Sequence, residues 1–429
     1  MPTALRLRRL RALALGVLAG LLGAAPAARS APPAFTAALS FRLLADDNLY
    51  LLDRAPLAPG QTAPALPSRA SDVAAATALA LRLACTPSPA FALDLTYAPE
   101  VIRYARHAAE DSTHHRLALN LGGNRGPWRY ELRQTHVETA GSVTAPVFNC
   151  LGGGPPIGGE PVRARRAQSA TKGTWKLTRA CAATGFVRGV ATLNQNDFHT
   201  RETAVTGYAN YVDRAETAVG TEAGLWVSPR LALVTGVRQG RQSQANLLGT
   251  SLNYTNAFTR WLVGAETKPS PVWQCSLLAG PDVRRFGAAV RPGFNRHRTA
   301  GYAEAAAAWQ PRPADTFTLT GKHYLWLSGA GRGAYTDTLV DLVWRHTLAR
   351  GWSVAPGLNV HEGVTGPLNP AAPRRDQIGT ATLALARQLA AATRAELVVQ
   401  RDASRTLVAN TPARAYHRWT LSAGLTRTW

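Results

Sequence analysis

The feature that most constrains this chain is a period-two alternation of apolar and polar side chains, repeated in segments of about ten residues. Phe91-Ala92-Leu93-Asp94-Leu95-Thr96-Tyr97 is the cleanest example. Leu79, Leu81 and Leu83 alternate with Ala80 and Arg82, and Leu117, Leu119 and Leu121 with Ala118 and Asn120. Trp128, Tyr130 and Leu132 alternate with Arg129, Glu131 and Arg133. The last segment sets Trp419, Leu421, Ala423 and Leu425 against Thr420, Ser422, Gly424 and Thr426. Such a pattern puts one set of side chains on each face of a β-strand. After the N-terminal leader no run approaches the roughly 18 apolar residues of a membrane-spanning helix.

One face is apolar and the other carries charge. Arg82, Asp94, Arg129, Glu131, Arg133, Lys176, Glu222, Arg260, Glu266, Lys322 and Asp341 all stand opposite apolar neighbours. A soluble sandwich would simply turn that polar face outward. Three features favour a membrane instead. The segments approach the 9–11 residues that a tilted strand needs to cross a bilayer. The connections alternate between short and long. Aromatics mark the expected segment ends (Phe91, Tyr97, Trp128, Trp175, Phe317, Trp419, Trp429), as interfacial girdles require.

The short turns fall near 85–89, 123–126, 182–185, 228–230, 269–271, 311–313, 349–351 and 390–392. The long loops fall near 46–72, 106–113, 138–172, 199–215, 241–256, 286–297, 328–334, 362–375 and 403–413. These seventeen connections predict about eighteen strands. Sixteen is the alternative, because the segments near 186–197 and 204–212 alternate poorly. Hydrocarbon offers no partner to backbone N–H and C=O groups, so strands can cross it only as a closed ring. The expected fold is therefore all-β: an up-and-down antiparallel transmembrane barrel. Its lumen is too wide for side chains to fill. Charged residues on the inner face then meet water.

The first 30 residues read as a secretory signal. Arg6, Arg8, Arg9 and Arg11 precede the apolar stretch 12–25, and Ala25-Pro26-Ala27 offers a cleavage site. The expected organisation is a signal over 1–30 and one barrel over 31–429, in the cell outer membrane of a Gram-negative-type envelope. The end of the chain, Ser422-Ala423-Gly424-Leu425-Thr426-Arg427-Thr428-Trp429, is similar to the assembly signal of outer-membrane barrels. Ser422, Gly424 and Trp429 match that signal. Arg427 departs from it, standing where an apolar residue is usual.

Three further blocks carry a family resemblance. They are Ala45-Asp46-Asp47-Asn48-Leu49-Tyr50 followed by Arg54-Ala55-Pro56-Leu57-Ala58-Pro59-Gly60-Gln61, then Tyr97-Ala98-Pro99-Glu100 with Arg103-Tyr104, and then the run from Gly152 to Arg166. The chain resembles bacterial outer-membrane proteins of the β-barrel porin 2 type. The likeness runs over most of the chain, with its sharp motifs in the first half. It implies a single outer-membrane barrel and a porin-like role without a defined solute.

The loop 138–172 is Gly-rich and carries Gly153, Glu160, Arg163, Arg165 and Arg166. Folded inward, these residues would narrow the pore. Left outside, its arginines would meet lipopolysaccharide phosphates or water. The glycine run lacks the Gly-Lys-Ser/Thr of a phosphate loop. Asp46-Asp47-Asn48 lacks the further ligands of a calcium loop, and the ten histidines form no HExxH. No metal or cofactor is expected, and no enzyme activity. Cys85, Cys150, Cys181 and Cys275 form no CxxC, and nothing in their spacing assigns a pairing.

The net charge of +22 raises nucleic-acid binding as a rival reading, but an export signal and an apolar belt argue against it. The expected partners are outer-membrane lipid and lipopolysaccharide, the barrel-assembly machinery and small hydrophilic solutes. The basic excess favours anionic solutes, since a charged narrow lumen repels like charge. The first functional reading is thus a porin-like channel for passive diffusion. The alternative is a non-conducting structural or surface-binding barrel that acts through its extracellular loops.

Overall fold

The computed structural model describes residues 33–49, 70–88, 90–140, 167–181, 184–199, 212–246, 250–267, 270, 272–327, 334–364, 375–406 and 416–429. The leader 1–30 lies outside them. Eighteen strands follow in chain order. They are β1 (Ala34–Asp46), β2 (Asp72–Ser88), β3 (Phe91–Tyr104), β4 (Ser112–Arg125), β5 (Trp128–Ala140) and β6 (Gln168–Cys181). Next come β7 (Gly185–Phe198), β8 (Arg214–Ser228), β9 (Leu231–Gln244), β10 (Asn256–Thr267), β11 (Trp273–Phe286) and β12 (His297–Arg312). The last six are β13 (Asp315–Leu327), β14 (Ala334–Thr347), β15 (Trp352–Val364), β16 (Arg375–Ala390), β17 (Thr393–Thr406) and β18 (Tyr416–Thr428).

Every strand pairs antiparallel with its sequence neighbours, and β1 also pairs with β18 from Ala38↔Thr428 to Asp46↔Thr420. The sheet is a closed 18-stranded up-and-down transmembrane barrel. The strand number is therefore eighteen rather than sixteen. The poorly alternating segment 186–197 is β7, and its partner is β8, which starts at Arg214; residues 204–211 lie outside the described residues. The strands overrun several expected turns. Cys85 is still in β2, and β5 runs to Ala140 while β6 starts at Gln168, so both strands extend into the expected loop 138–172.

Strand alternation places Phe41, Val219, Leu233, Val263, Leu342, Leu383 and Leu421 on the outside, where all are exposed. This is the lipid-facing band. At its lower edge, on the side of the short turns, Trp309, Phe317 and Trp344 are direct cross-strand neighbours. Their ring centroids are 5.1 and 5.7 Å apart. Outward arginines lie over the girdle rings: Arg179 over Trp128 at 5.6 Å, Arg387 over Trp352 at 5.2 Å and Arg427 over Trp429 at 5.5 Å. That contact accounts for Arg427 in the terminal strand. Its stem stays against apolar surface while its charge reaches the interface. Tyr97 and Trp175 sit mid-strand rather than at the girdles.

The ring is sharply bent across β7–β12. At Gly264 a Cβ would stand 1.8 Å from the Leu277 carbonyl oxygen, and at Gly280 1.9 Å from that of Trp261. Only glycine allows so close an approach of neighbouring backbones. Pro281 has no N–H, and pairing between β10 and β11 lapses between Arg260↔Asp282 and Val263↔Ala279. Glycines and a proline thus make a corner in the wall.

On the outer rim, Asp72 clasps the turn between β3 and β4. Its carboxylate accepts the backbone N–H groups of Val73 at 2.7 Å, Arg106 at 3.1 Å and His107 at 2.9 Å, and meets His107 Nδ1 at 2.7 Å. Burial works against its charge, but these hydrogen bonds prevail and lower its pKa to about 2. A depressed carboxylate pKa stabilises the fold above the ordinary value and stops doing so as pH falls through the folded one. The clasp is therefore expected to hold at pH 5 and to loosen between about pH 4 and pH 2. Amide hydrogen exchange at Arg106 and His107 checks this; protection unchanged down to pH 2 would contradict it.

Candidate channel lining and constriction

The register places all eleven charged candidates on the inward side of the wall. Arg82 and Asp94 sit on β2 and β3, with Arg82 Nε 2.9 Å from Asp94 Oδ2. Arg129, Glu131 and Arg133 follow on β5, with Arg129 2.6 Å from Glu131. Lys176 on β6 is the register partner of Glu131. Asp341 on β14 lies between Thr320 and Asn359. Apart from Asp341, these residues line one stretch of wall, β2 to β6, and they form no single cluster.

Glu222, Glu266, Arg260 and Lys322 belong to a different environment. They lie on the bent corner, where Glu222 and Arg260 are each only 2% exposed. Two tiers of ion pairs fill this corner. In the lower tier Arg188 Nε donates to Glu222 at 2.8 Å and Arg188 Nη1 to Glu266 at 3.1 Å. Arg238 bridges Glu222 at 3.0 Å and Glu304 at 2.7 Å. In the upper tier Arg260 joins Glu216 at 3.1 Å and Asp282 at 3.0 Å. Arg284 donates to Asp282 at 2.6 Å and to Gln242 at 2.7 Å. The guanidinium of Arg260 also lies 4.0 Å from the Phe258 ring centre and 4.4 Å from that of Tyr302. Lys322 caps the group, its ammonium 4.3 Å from the Tyr324 ring centre.

The balance of charge differs between the two walls. The corner holds five cations (Arg188, Arg238, Arg260, Arg284, Lys322) and five carboxylates (Glu216, Glu222, Glu266, Asp282, Glu304). It contributes no net charge. Below the buried rim residues Asp46 and Asp72, strands β1–β6 turn seven cations inward (Arg42, Arg82, Arg116, Arg129, Arg133, Lys172, Lys176). Three carboxylates answer them there: Asp94, Glu100 and Glu131. Several of these cations are half-exposed, so this strip faces the lumen with a positive excess.

The outer end of the β13–β14 hairpin narrows the mouth. Pairing of β13 with β12 ends at Ala303↔His323, whereas β13 stays paired with β14 up to Leu327↔Ala334. The hairpin end has left the wall. Leu325 and Leu327, buried to 1% or less, pack with Val212, Tyr254 and Phe286. On the other side of the hairpin, Trp326 and Tyr335 pack against Ile378 of β16. Arg214 of β8 lies 5.2 Å over the Trp326 ring. Since β8 and β16 are eight strands apart in a ring of eighteen, the hairpin end spans most of the opening.

The sequence-based constriction candidates Gly153, Glu160, Arg163, Arg165 and Arg166 lie outside the described residues. Ser422 and Gly424 sit on the closing strand β18. A Cβ at Gly424 would meet Arg42 Cγ at 2.5 Å, so glycine there makes room for an inward arginine paired with Glu100. Trp429 follows β18 at the lower rim. Cys85, Cys181 and Cys275 are free thiols. Among the described residues no group of metal-ligating side chains comes together. Alternation alone could not find Arg188, Arg238, Glu304 or Arg284, because their pairing depends on register between distant segments.

No family model and no curated protein matches this chain. Solved structures do. OpdK, an outer-membrane protein of Pseudomonas aeruginosa, is 10% identical, with 92% of this chain and 99% of that chain covered and a TM-score of 0.43. OccK2 (OpdF) of the same organism, solved in complex with glucuronate, is 11% identical over 92% and 98%, with a TM-score of 0.41. The siderophore receptor PirA of Pseudomonas aeruginosa is 9% identical over 95% and 81%, with a TM-score of 0.39. The barrel itself rests on its own closed register.

Proposed function

We propose that this protein is an outer-membrane channel for the passive diffusion of small hydrophilic solutes, with a preference for anions. The observation that carries the reading is the two-faced closed sheet: an apolar exterior around an interior that holds the charged side chains. The inward charges of β1–β6, with Arg82, Arg129, Arg133 and Lys176 prominent, would form the conducting wall. A positive strip in a narrow aqueous path concentrates anions and repels cations. Outer-membrane lipid and lipopolysaccharide would surround the barrel, and the assembly machinery would read Ser422, Gly424 and Trp429.

Purified protein in a planar bilayer tests this. Discrete single-channel steps are expected, and a tenfold KCl gradient should give a reversal potential of the sign for chloride preference. A cation-selective potential would refute the anion preference. Absence of any conductance would favour the second reading, a non-conducting barrel that works through its outer loops. The hairpin end across the mouth is the feature that keeps this second reading in play.

A further inference from the structure

The departure of β13 from β12 leaves backbone groups to be satisfied. Beyond His323, the odd-numbered residues of β13 point their N–H and C=O groups toward β12, because the even-numbered ones bond β14. With β12 no longer beside them, the carbonyls of Leu325 and Leu327 turn to side chains from across the corner. Gln242 Nε2 donates to Leu325 O at 2.9 Å and Arg284 Nη2 at 3.1 Å, while Arg214 Nη1 donates to Leu327 O. A buried carbonyl left unmet loses its bond to water with nothing in exchange, so these three donors hold the hairpin end in place. Meanwhile β12 keeps its strand form from His297 to Tyr302 through β11 alone. Its other edge stands ready to receive β13.

We propose that the outer end of the β13–β14 hairpin is a latch with two resting places. In one, seen here, it is docked across the mouth on Arg214, Gln242 and Arg284. In the other it zips onto β12 in the register set by Ala303↔His323, which brings Ala300 opposite Trp326 and Gly301 opposite Leu325. The exchange replaces side-chain donors by strand pairing, so both states satisfy the same carbonyls. Docked, the hairpin narrows the channel; zipped, it rejoins the wall and widens it. The effect on conductance rests on the channel reading, but the existence of the second pairing does not.

A cysteine staple separates the two claims. The four native cysteines are replaced by serine, and Ala300→Cys and Trp326→Cys are introduced. In the docked state Trp326 points away from β12 and packs with Tyr335 and Ile378, whereas Ala300 packs with the Leu325 side of the hairpin. The two thiols therefore meet only when the strands are zipped. Diamide should cross-link the folded barrel, read as a gel shift reversed by dithiothreitol. The oxidised protein should conduct at least twofold more than the same protein reduced. Failure to cross-link in a barrel that is folded, judged by heat-modifiable migration, would overturn the latch. A cross-link with unchanged conductance would overturn its gating role. A cross-link with no conductance in either form would instead sink the channel reading and leave the second pairing standing. Arg214→Ala is the second arm, should the stapled variant fail to fold. Losing one donor should raise the time spent in the wider level, and should slow hydrogen exchange at Leu325 and Leu327, whose N–H groups gain strand partners on β12 in the zipped state. No change in either would count against the latch.

Discussion

Replacing Glu222 by leucine is expected to weaken the barrel by about 3–5 kcal/mol, the range for breaking a buried ion pair. Glu222 is the carboxylate shared by Arg188 and Arg238, and all three are nearly buried. Without it, two guanidinium groups face each other with no negative charge between them. Arg188 would keep Glu266 and Arg238 would keep Glu304, but neither contact separates the two cations. The temperature at which the SDS-resistant form unfolds reads the effect. Arg82→Ala is the control. Its pair with Asp94 is exposed and screened by water, so the substitution should leave stability nearly unchanged. Equal stability of the two variants would show that the corner network contributes nothing.

Gly264→Val should prevent the barrel from closing properly. The first atom added would lie 1.8 Å from the Leu277 carbonyl oxygen, which is backbone and cannot swing aside. Overpacking in a firm wall costs about 1–3 kcal/mol, and a clash with backbone lies at or above the top of that range. The expected result is loss of the heat-modifiable band and accumulation of unfolded protein in refolding assays. Gly379→Ala makes the contrast, since nothing lies within 4 Å of its added carbon. A normally folded Gly264→Val barrel would mean that the corner is not built as described.

The fold was largely legible because alternation is a local property. Phe91–Tyr97 and Trp128–Arg133 declare their two faces within a few residues, and the turn residues between such segments set the strand count. The eleven inward charges could be named for the same reason. Their division into an open strip and a packed corner could not. That division depends on which strand lies beside which, and at what register. Arg188 and Glu222 are far apart in sequence yet directly opposed in the sheet. Pro281 and Gly280 mark the corner of the sheet, which only the pairing of β10 with β11 makes visible. The departure of the hairpin end is the least local feature of all. Tyr324-Leu325-Trp326-Leu327 reads as a strand that should run beside β12. Only the donors waiting on β8, β9 and β11 show where else its carbonyls can go.

The stacked rings of Trp309, Phe317 and Trp344, with the neighbouring arginine–tryptophan contacts, bear on how the molecule sits in its surroundings. Rigid flat rings side by side, each tied to a separate strand of a closed cylinder, cannot shift up or down independently. Their height is a property of the whole ring. Where the surrounding bilayer is too thick or too thin for that height, the lipids rather than the protein must stretch or compress to make up the difference.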